Sequence, residues 1–372
     1  MAGSLRFVDL VQNRLDDLLA DRGAALGRIS PDLDDLTVVG RDLLGGGKRF
    51  RALFCYWGWQ GVAGRGREAD LLPEAEDGPD LAPITAAAAA LEIFHAAALV
   101  HDDIMDNSDL RRGLPSVHRR LEALHRERGL RGDPARYGMS GALLLGDLLL
   151  GWSDELLDDG LRDVAPDAAR ATRDEFAVMR TEVTAGQYLD ILEEASWHAH
   201  ADDEQLRRAQ RVVLYKSAKY SVEAPLVIGA SIAGADADQL GALRGFGVPL
   251  GIAFQLRDDL LGVFGDPEVT GKPAGDDLRE GKRTVLIALA RESLSSSARN
   301  LLDELLGDPE LDADQIRMLQ STIRQSGAVD RLEGVIGREV ERATSALDAA
   351  PLTRSARGEL LRLADAVTRR EA

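Results

Sequence analysis

The stretch from Ile84 to Val100 constrains the fold more than any other. It is apolar almost throughout, broken by Glu92 and His95, and it runs directly into His101-Asp102-Asp103-Ile104-Met105-Asp106. Internal polar residues and abutting acids make it a buried helix and not a membrane span. Elsewhere strand signals are nearly absent. Alternating β-branched runs do not occur, while Ala, Leu, Arg and Glu dominate. The pattern predicts an all-α chain, read as one helical domain over 1–372. Helices are expected at 4–27, 31–45, 48–62, 83–108, 115–127, 136–159, 165–195, 203–232, 236–264, 281–306, 312–325, 328–348 and 352–370, to within roughly four residues. Loop insertions are expected at 64–83 and 126–136, both rich in glycine and proline. The alanine run Ala86 to Ala90 suits close helix packing.

A formal charge of −18 argues against general binding to nucleic acid or to an anionic membrane. The single cysteine, Cys55, excludes an intrachain disulfide and any cysteine metal site, and fits a reducing cytoplasm. No secretory signal is visible, because Arg6 and Asp9 interrupt the start.

Two acid runs carry the chemistry. Asp102 and Asp106 are four residues apart and share one helical face. Two carboxylates there repel each other unless a hard divalent cation, which prefers oxygen ligands, lies between them. A second run, Phe254-Gln255-Leu256-Arg257-Asp258-Asp259, is weaker, because Gly262 stands where a symmetric run would have a third aspartate. The segment Val263 to Pro267, with Asp266, is a candidate to compensate, although Asp266 comes too late for the same face.

Basic clusters are interleaved with these acids. Gly45-Gly46-Gly47-Lys48-Arg49-Phe50-Arg51 places a glycine-rich turn before a helix, a setting that favours phosphate, without the spacing of a nucleotide P-loop. Arg111-Arg112-Gly113 follows the first acid run. Lys216-Ser217-Ala218-Lys219 interrupts an amphipathic helix. Gly271-Lys272-Pro273 and Gly281-Lys282-Arg283 follow the second acid run. Acids able to hold metal are thus each followed by bases able to hold phosphate.

In this order the segments resemble the trans-prenyl diphosphate synthases, the polyprenyl synthetase family that includes farnesyl and geranylgeranyl diphosphate synthases. The matching pieces are Gly46-Gly47-Lys48-x-x-Arg51, Asp102 to Asp106 with Arg111-Arg112-Gly113, Gly186-Gln187-x-x-Asp190, Lys216-Ser217, and Phe254-Gln255-x-x-Asp258-Asp259 with Lys272 and Lys282. They span about residues 40 to 290.

The resemblance implies an isoprenoid-synthase-type helical bundle around a deep central cavity, and a homodimer. It implies three Mg²⁺ ions that bridge Asp102, Asp106 and Asp258 to the allylic diphosphate, with Asp103 within the catalytic set. Arg111, Lys216 and Lys272 would clamp that diphosphate, assisted by Ser217, Gln255 and Lys282. Gln187 and Asp190 would support the metal shell. Lys48, Arg51, His95 and Arg112 would hold isopentenyl diphosphate. The implied product is an all-trans prenyl diphosphate, with C20 geranylgeranyl diphosphate expected because Ala97 and Ala98, one turn below Asp102, are small and Phe94 is the first bulky floor. A class I terpene cyclase is disfavoured, since Asp258-Asp259 lacks the Asn, Ser and Glu pattern of its second motif. A non-catalytic subunit is disfavoured by the intact first run.

Overall fold

The computed structural model of the protein describes residues 2–64, 80–266 and 275–368, with side chains from Arg6 onward. Lys272 and most of the expected 64–83 insertion lie outside the described residues. The backbone groups into two compact units: 1–176 with 225–240 and 351–359, and 177–224 with 241–350 and 360–372.

The first unit contains α1 (Ala2–Ile29), α2 (Asp34–Leu44), α3 (Phe50–Ala63), α4 (Ala82–Met105), α5 (Val117–Glu127) and α6 (Pro134–Gly160). It also takes the start of α7 (Pro166–Ser196), whose remainder belongs to the second unit. The apolar stretch is α4, buried from Ile84 to Phe94. By length and hydropathy α4 could cross a membrane, yet 78% of its most apolar window is buried inside the protein. It packs against α1, α2, α3, α5 and α6. Its small residues admit α6 closely: a Cβ on Gly160 would lie 2.4 Å from the Ala86 Cβ, and one on Gly146 would lie 2.2 Å from His101 Nε2. The alanine run therefore serves helix packing, as its composition suggests.

In the same unit, α3 crosses a later helix, α9 (Ala224–Ile232), at backbone contact. A Cβ on Gly58 would fall 2.1 Å from the Leu226 carbonyl oxygen, and one on Gly229 would fall 1.8 Å from that of Cys55. Cys55 is fully buried there, and burial pushes its thiol pKa up, so it is inert packing.

The second unit holds α8 (Asp202–Val212), an eleven-residue π-helix (Val213–Glu223) and most of α10 (Ala237–Phe264). Five shorter helices follow: α11 (Asp276–Glu280), α12 (Val285–Ser293), α13 (Ser296–Leu305), α14 (Ala313–Gln325) and α15 (Ala328–Ala346). The last described helix is α16 (Arg354–Thr368), whose start belongs to the first unit. The core of this unit joins Leu256, Leu260 and Val263 of α10 to Leu286 and Leu289 of α12, and to Ile316, Leu319, Leu332 and Ile336.

Three expectations change. The helix expected over 203–232 is continuous in backbone path, but its middle is π-helical. The helix expected over 281–306 starts at Val285, within the stated tolerance, and is broken once, at Leu294–Ser295. Gly281 (φ 79°) ends α11 in the left-handed region, and Thr284 caps α12 by accepting from the Ile287 N–H. Ser295 then caps α13 through the Ala298 N–H. Finally, Arg111-Arg112-Gly113, between the helices expected at 83–108 and 115–127, lies in a short hairpin in a chain read as helical throughout. Leu110–Arg111 and Leu114–Pro115 pair as a two-residue hairpin. Its corner needs positive φ at both central residues, met by Arg112 (54°) and Gly113 (76°). These are the only strands among the described residues.

Candidate active site

The first unit gathers one set of groups at the C-terminal end of α4. Asp106 caps the helix and donates its N–H to the Asp102 carbonyl at 2.8 Å, so the two carboxylates share a face as the spacing predicts. Asp103 behaves differently. It is 1% exposed, and it accepts from Arg111 Nε at 2.8 Å and from Arg111 Nη2, which also reaches Asp102 Oδ2 at 3.2 Å. The hairpin carries Arg111 back over α4, and Asp103 locks its guanidinium in place. Asp103 is thus a positioning group for Arg111.

The next residue of the hairpin, Arg112, meets the glycine loop. Its guanidinium nitrogens lie 3.4 Å from where a Gly47 Cβ would stand, and Gly47 has φ 96°. Arg49 is buried at the head of α3 with φ 50°. It donates to Glu92 Oε2 at 3.0 Å, to Gln12 Oε1 at 2.6 Å and to the Leu44 carbonyl, while Glu92 Oε1 accepts from the Ala52 N–H at 3.2 Å. Sequence reasoning missed this pair. The signal was present, because a carboxylate inside the most apolar stretch of the chain demands a buried cation. Arg49 and Glu92 fix the loop that presents Lys48, which is exposed, and Arg51, which is partly buried.

His95 lies half-buried in this setting. Burial first, then the charges of Arg51, Arg112, Arg111 and Arg49, hold its imidazole well below the usual range. It is neutral at pH 7. Below about pH 6.5 the unfolded chain takes up a proton here that the folded chain refuses. Stability from this site is full above that pH and is lost as pH falls through it. The urea midpoint should therefore drop between about pH 7 and pH 5.5 more steeply in wild type than in His95→Gln. Parallel pH profiles would remove the assignment. Further down α4, Ala97 is fully buried and Ala98 partly so. Phe94 is 3% exposed and meets Phe176 edge-on, with ring centroids 6.0 Å apart at 73°.

The second unit gathers the other set. Gly186 of α7 has no room for a side chain: a Cβ would lie 2.3 Å from the Lys216 backbone nitrogen. One turn on, Asp190 Oδ2 accepts from Lys216 Nζ at 2.5 Å and lies 3.5 Å from Lys282 Nζ, which is also 3.4 Å from Glu194 Oε1. The break at Gly281 is what releases Lys282 from a helical path. Lys219, in contrast, pairs with Glu182 at 2.5 Å. Arg257, beside Asp258, grips both oxygens of Glu333 at 2.5 and 2.7 Å and serves packing. Arg283 lies over the Trp197 ring at 3.7 Å and bonds Asp303.

Asp190, Lys216, Ser217, Gln255, Asp259, Asp277 and Lys282 line one cavity of this unit. Asp258 is partly buried on α10, and Gln187 is partly buried three residues before Asp190; neither lines that cavity. Gln255 Nε2 donates to Asp259 Oδ1 at 2.8 Å. Burial, then the carboxylates of Asp277, Asp258 and Asp190, push Asp259 well above the carboxylate range, against the pull of Gln255. Asp259 Oδ2 is buried without a hydrogen-bond partner.

Among the described residues no three His, Cys, Asp or Glu side chains converge to cage a metal. Carboxylates that stand singly or in pairs beside Lys and Arg suit a cation whose other ligands are phosphate and water. The unsatisfied oxygen of Asp259 fits the same arrangement.

Comparison with known proteins agrees with this chemistry. Residues 35–323 match the polyprenyl synthetase family. A geranylfarnesyl diphosphate synthase of Aeropyrum pernix is 33% identical over 86% of this chain and 88% of its own. A geranylgeranyl diphosphate synthase of Mycobacterium tuberculosis is 31% identical over 79% of this chain and 76% of its own. The crystal structure of a Corynebacterium glutamicum geranylgeranyl pyrophosphate synthase, complexed with isoprenyl diphosphate and magnesium, superposes with a TM-score of 0.90. It is 39% identical, over 98% of this chain and 99% of that one. The fold is thus the isoprenoid-synthase helical bundle, and the chain belongs to the polyprenyl synthetase family, a prenyltransferase of the trans-prenyl diphosphate synthase kind.

Proposed function

We propose that the protein condenses isopentenyl diphosphate with an allylic diphosphate to make geranylgeranyl diphosphate, C20, as a cytoplasmic, Mg²⁺-dependent homodimer. The observation that carries the reading is the meeting of Arg112, Gly47 and His95 in the first unit, apart in sequence from the Lys216–Asp190–Lys282 cluster of the second. Two substrates with diphosphates need two such basic sets, which a terpene cyclase does not.

Lys48, Arg51, His95 and Arg112 take the diphosphate of isopentenyl diphosphate. A neutral His95 donates one hydrogen bond without adding charge to a crowded arginine set. By the resemblance, the allylic diphosphate is assigned to Arg111, Lys216, Ser217, Gln255, Lys272 and Lys282. By the resemblance, Asp102, Asp106 and Asp258 would hold the cations, three in number. Gln187 and Asp190 support that shell, Asp190 by fixing Lys216 and Lys282. When bound, Mg²⁺ neutralises charge that builds on the leaving diphosphate. Arg111 and Lys216, each already held by a carboxylate, stabilise the same charge without reorganising. The isopentenyl double bond attacks the allylic C1, the C1–O bond breaks, and the departing diphosphate takes the proton released. The homodimer is supported by Met139 (48% exposed), Leu143 (50% exposed) and Leu144 (59% exposed), large apolar groups exposed on α6.

Chain length rests on Phe94 as the floor below Ala97 and Ala98. The relatives named above make both C20 and longer products by their names, so the purified chain should be assayed with each allylic primer. Chromatography of dephosphorylated products should show C20, with Ala98→Phe shortening it to C15 or less and Phe94→Ala lengthening it. An unchanged distribution in both variants would move the floor to other residues.

A further inference from the structure

Gly262 leaves the second acid run one carboxylate short, four residues after Asp258 and on the same face of α10. A side chain at this position would have to displace the Asp277 carboxylate. Its Cβ would fall 1.9 Å from Asp277 Oδ2, 2.3 Å from Cγ and 2.7 Å from Oδ1. The whole Asp277 carboxylate occupies the volume that a third aspartate of the run would enter. Asp277 comes from α11, a five-residue helix bounded by Gly275 (φ 73°) and Gly281 (φ 79°). Those two left-handed glycines turn the chain sharply on both sides of α11 and hold it against α10.

The neighbours are those of a cation site. Asp277 lines the cavity that Asp190, Lys216, Asp259 and Lys282 also line. On the same wall Asp259 is 4% exposed, with Oδ1 bound to Gln255 and Oδ2 left without a hydrogen bond. A buried carboxylate oxygen in that condition costs free energy unless a cation or a donor fills the gap. Asp266, the acid that the sequence offered as a replacement, is exposed beyond the end of α10.

The geometry points to Asp277 as the third carboxylate of the second acid run, delivered by α11 in place of α10, with Gly262 as the residue that makes room for it. With Asp259 on the same cavity wall it would hold divalent cation, directly or through water, with the allylic diphosphate supplying the remaining ligands. This rests on the prenyl-transfer reading above.

The test is Mn²⁺ titrated into the full chain with inorganic diphosphate, with free Mn²⁺ followed by electron paramagnetic resonance. Wild type is compared with Asp277→Asn, Gly262→Asp and the double variant Gly262→Asp/Asp277→Gly. Asp277→Asn should weaken Mn²⁺ binding by about 10-fold or more. Gly262→Asp alone should bind poorly and melt earlier, because two side chains compete for one space. The double variant returns one carboxylate to that space and should recover binding to near wild type. If Gly262→Asp does not fold, the other two variants still decide. Wild-type binding in Asp277→Asn, or a folded double variant that does not recover, would overturn the inference alone. A wild-type chain that binds no Mn²⁺ with diphosphate would overturn it together with the metal-assisted reading.

Discussion

Asp102→Ala should lower turnover by about 10³-fold while the folded chain becomes no less stable. The first half follows from the work assigned to the pair. Asp102 and Asp106 are the proposed cation ligands of the first unit, and a loss of this size is about 4 kcal/mol of transition-state stabilisation. The second half follows from the contacts. Asp102 gives Arg111 only its longer bond, 3.2 Å, while Asp103 keeps Nε at 2.8 Å, so the guanidinium stays in place without Asp102. Removing one of two like charges at i, i+4 spacing also relieves repulsion in the metal-free protein. The melting temperature without Mg²⁺ should therefore hold or rise as activity collapses. Asp103→Ala should differ, losing stability as well, because it strands Arg111 beside a buried void. Near-normal turnover of Asp102→Ala, or of wild type in EDTA, would remove the pair from the mechanism.

Features that depend on local spacing were legible in the sequence. Helix positions follow from apolar period and composition, and Asp102 and Asp106 share a face because four residues make about one turn. Residues whose roles depend on a partner distant in sequence were not legible. Arg49 reads as the variable position between Lys48 and Arg51, yet it is the buried arginine that Glu92, 43 residues away, holds. Asp103 and Asp102 look equivalent on paper and differ because the hairpin returns Arg111 to one more than the other. Gly262 reads as a defect until Asp277 is seen in the space it leaves. The break at Leu294–Ser295 was missed because helix-forming residues flank it on both sides, while the Ser295 side chain caps a new helix there.

Gly186→Ala tests the same point at the other cluster. The glycine was read as the first letter of Gly186-Gln187-x-x-Asp190, with no role of its own. Its missing side chain is what lets α7 touch the π-helix. An added Cβ would meet the Lys216 nitrogen at 2.3 Å, the Tyr215 carbonyl carbon at 2.6 Å and the Lys216 Cα at 2.7 Å, all backbone atoms with no flexible end to move aside. The two helices must separate. Overpacking of this kind costs about 1–3 kcal/mol. The separation falls at Lys216, whose amine is proposed to bind the allylic diphosphate, and it stretches the 2.5 Å bond between Lys216 and Asp190. A displacement near 1 Å at a positioned charge is worth about 10²-fold in rate. The expected result is a modest drop in melting temperature with a kcat loss of about 10²-fold. Gly337→Ala is the control, since its Cβ would meet nothing within 4 Å on a helix where alanine is the better former. It should keep full activity and melt at or above wild type. A Gly186→Ala enzyme with wild-type kcat would mean that the π-helix yields without carrying Lys216 away, and that the close approach does not position the amine.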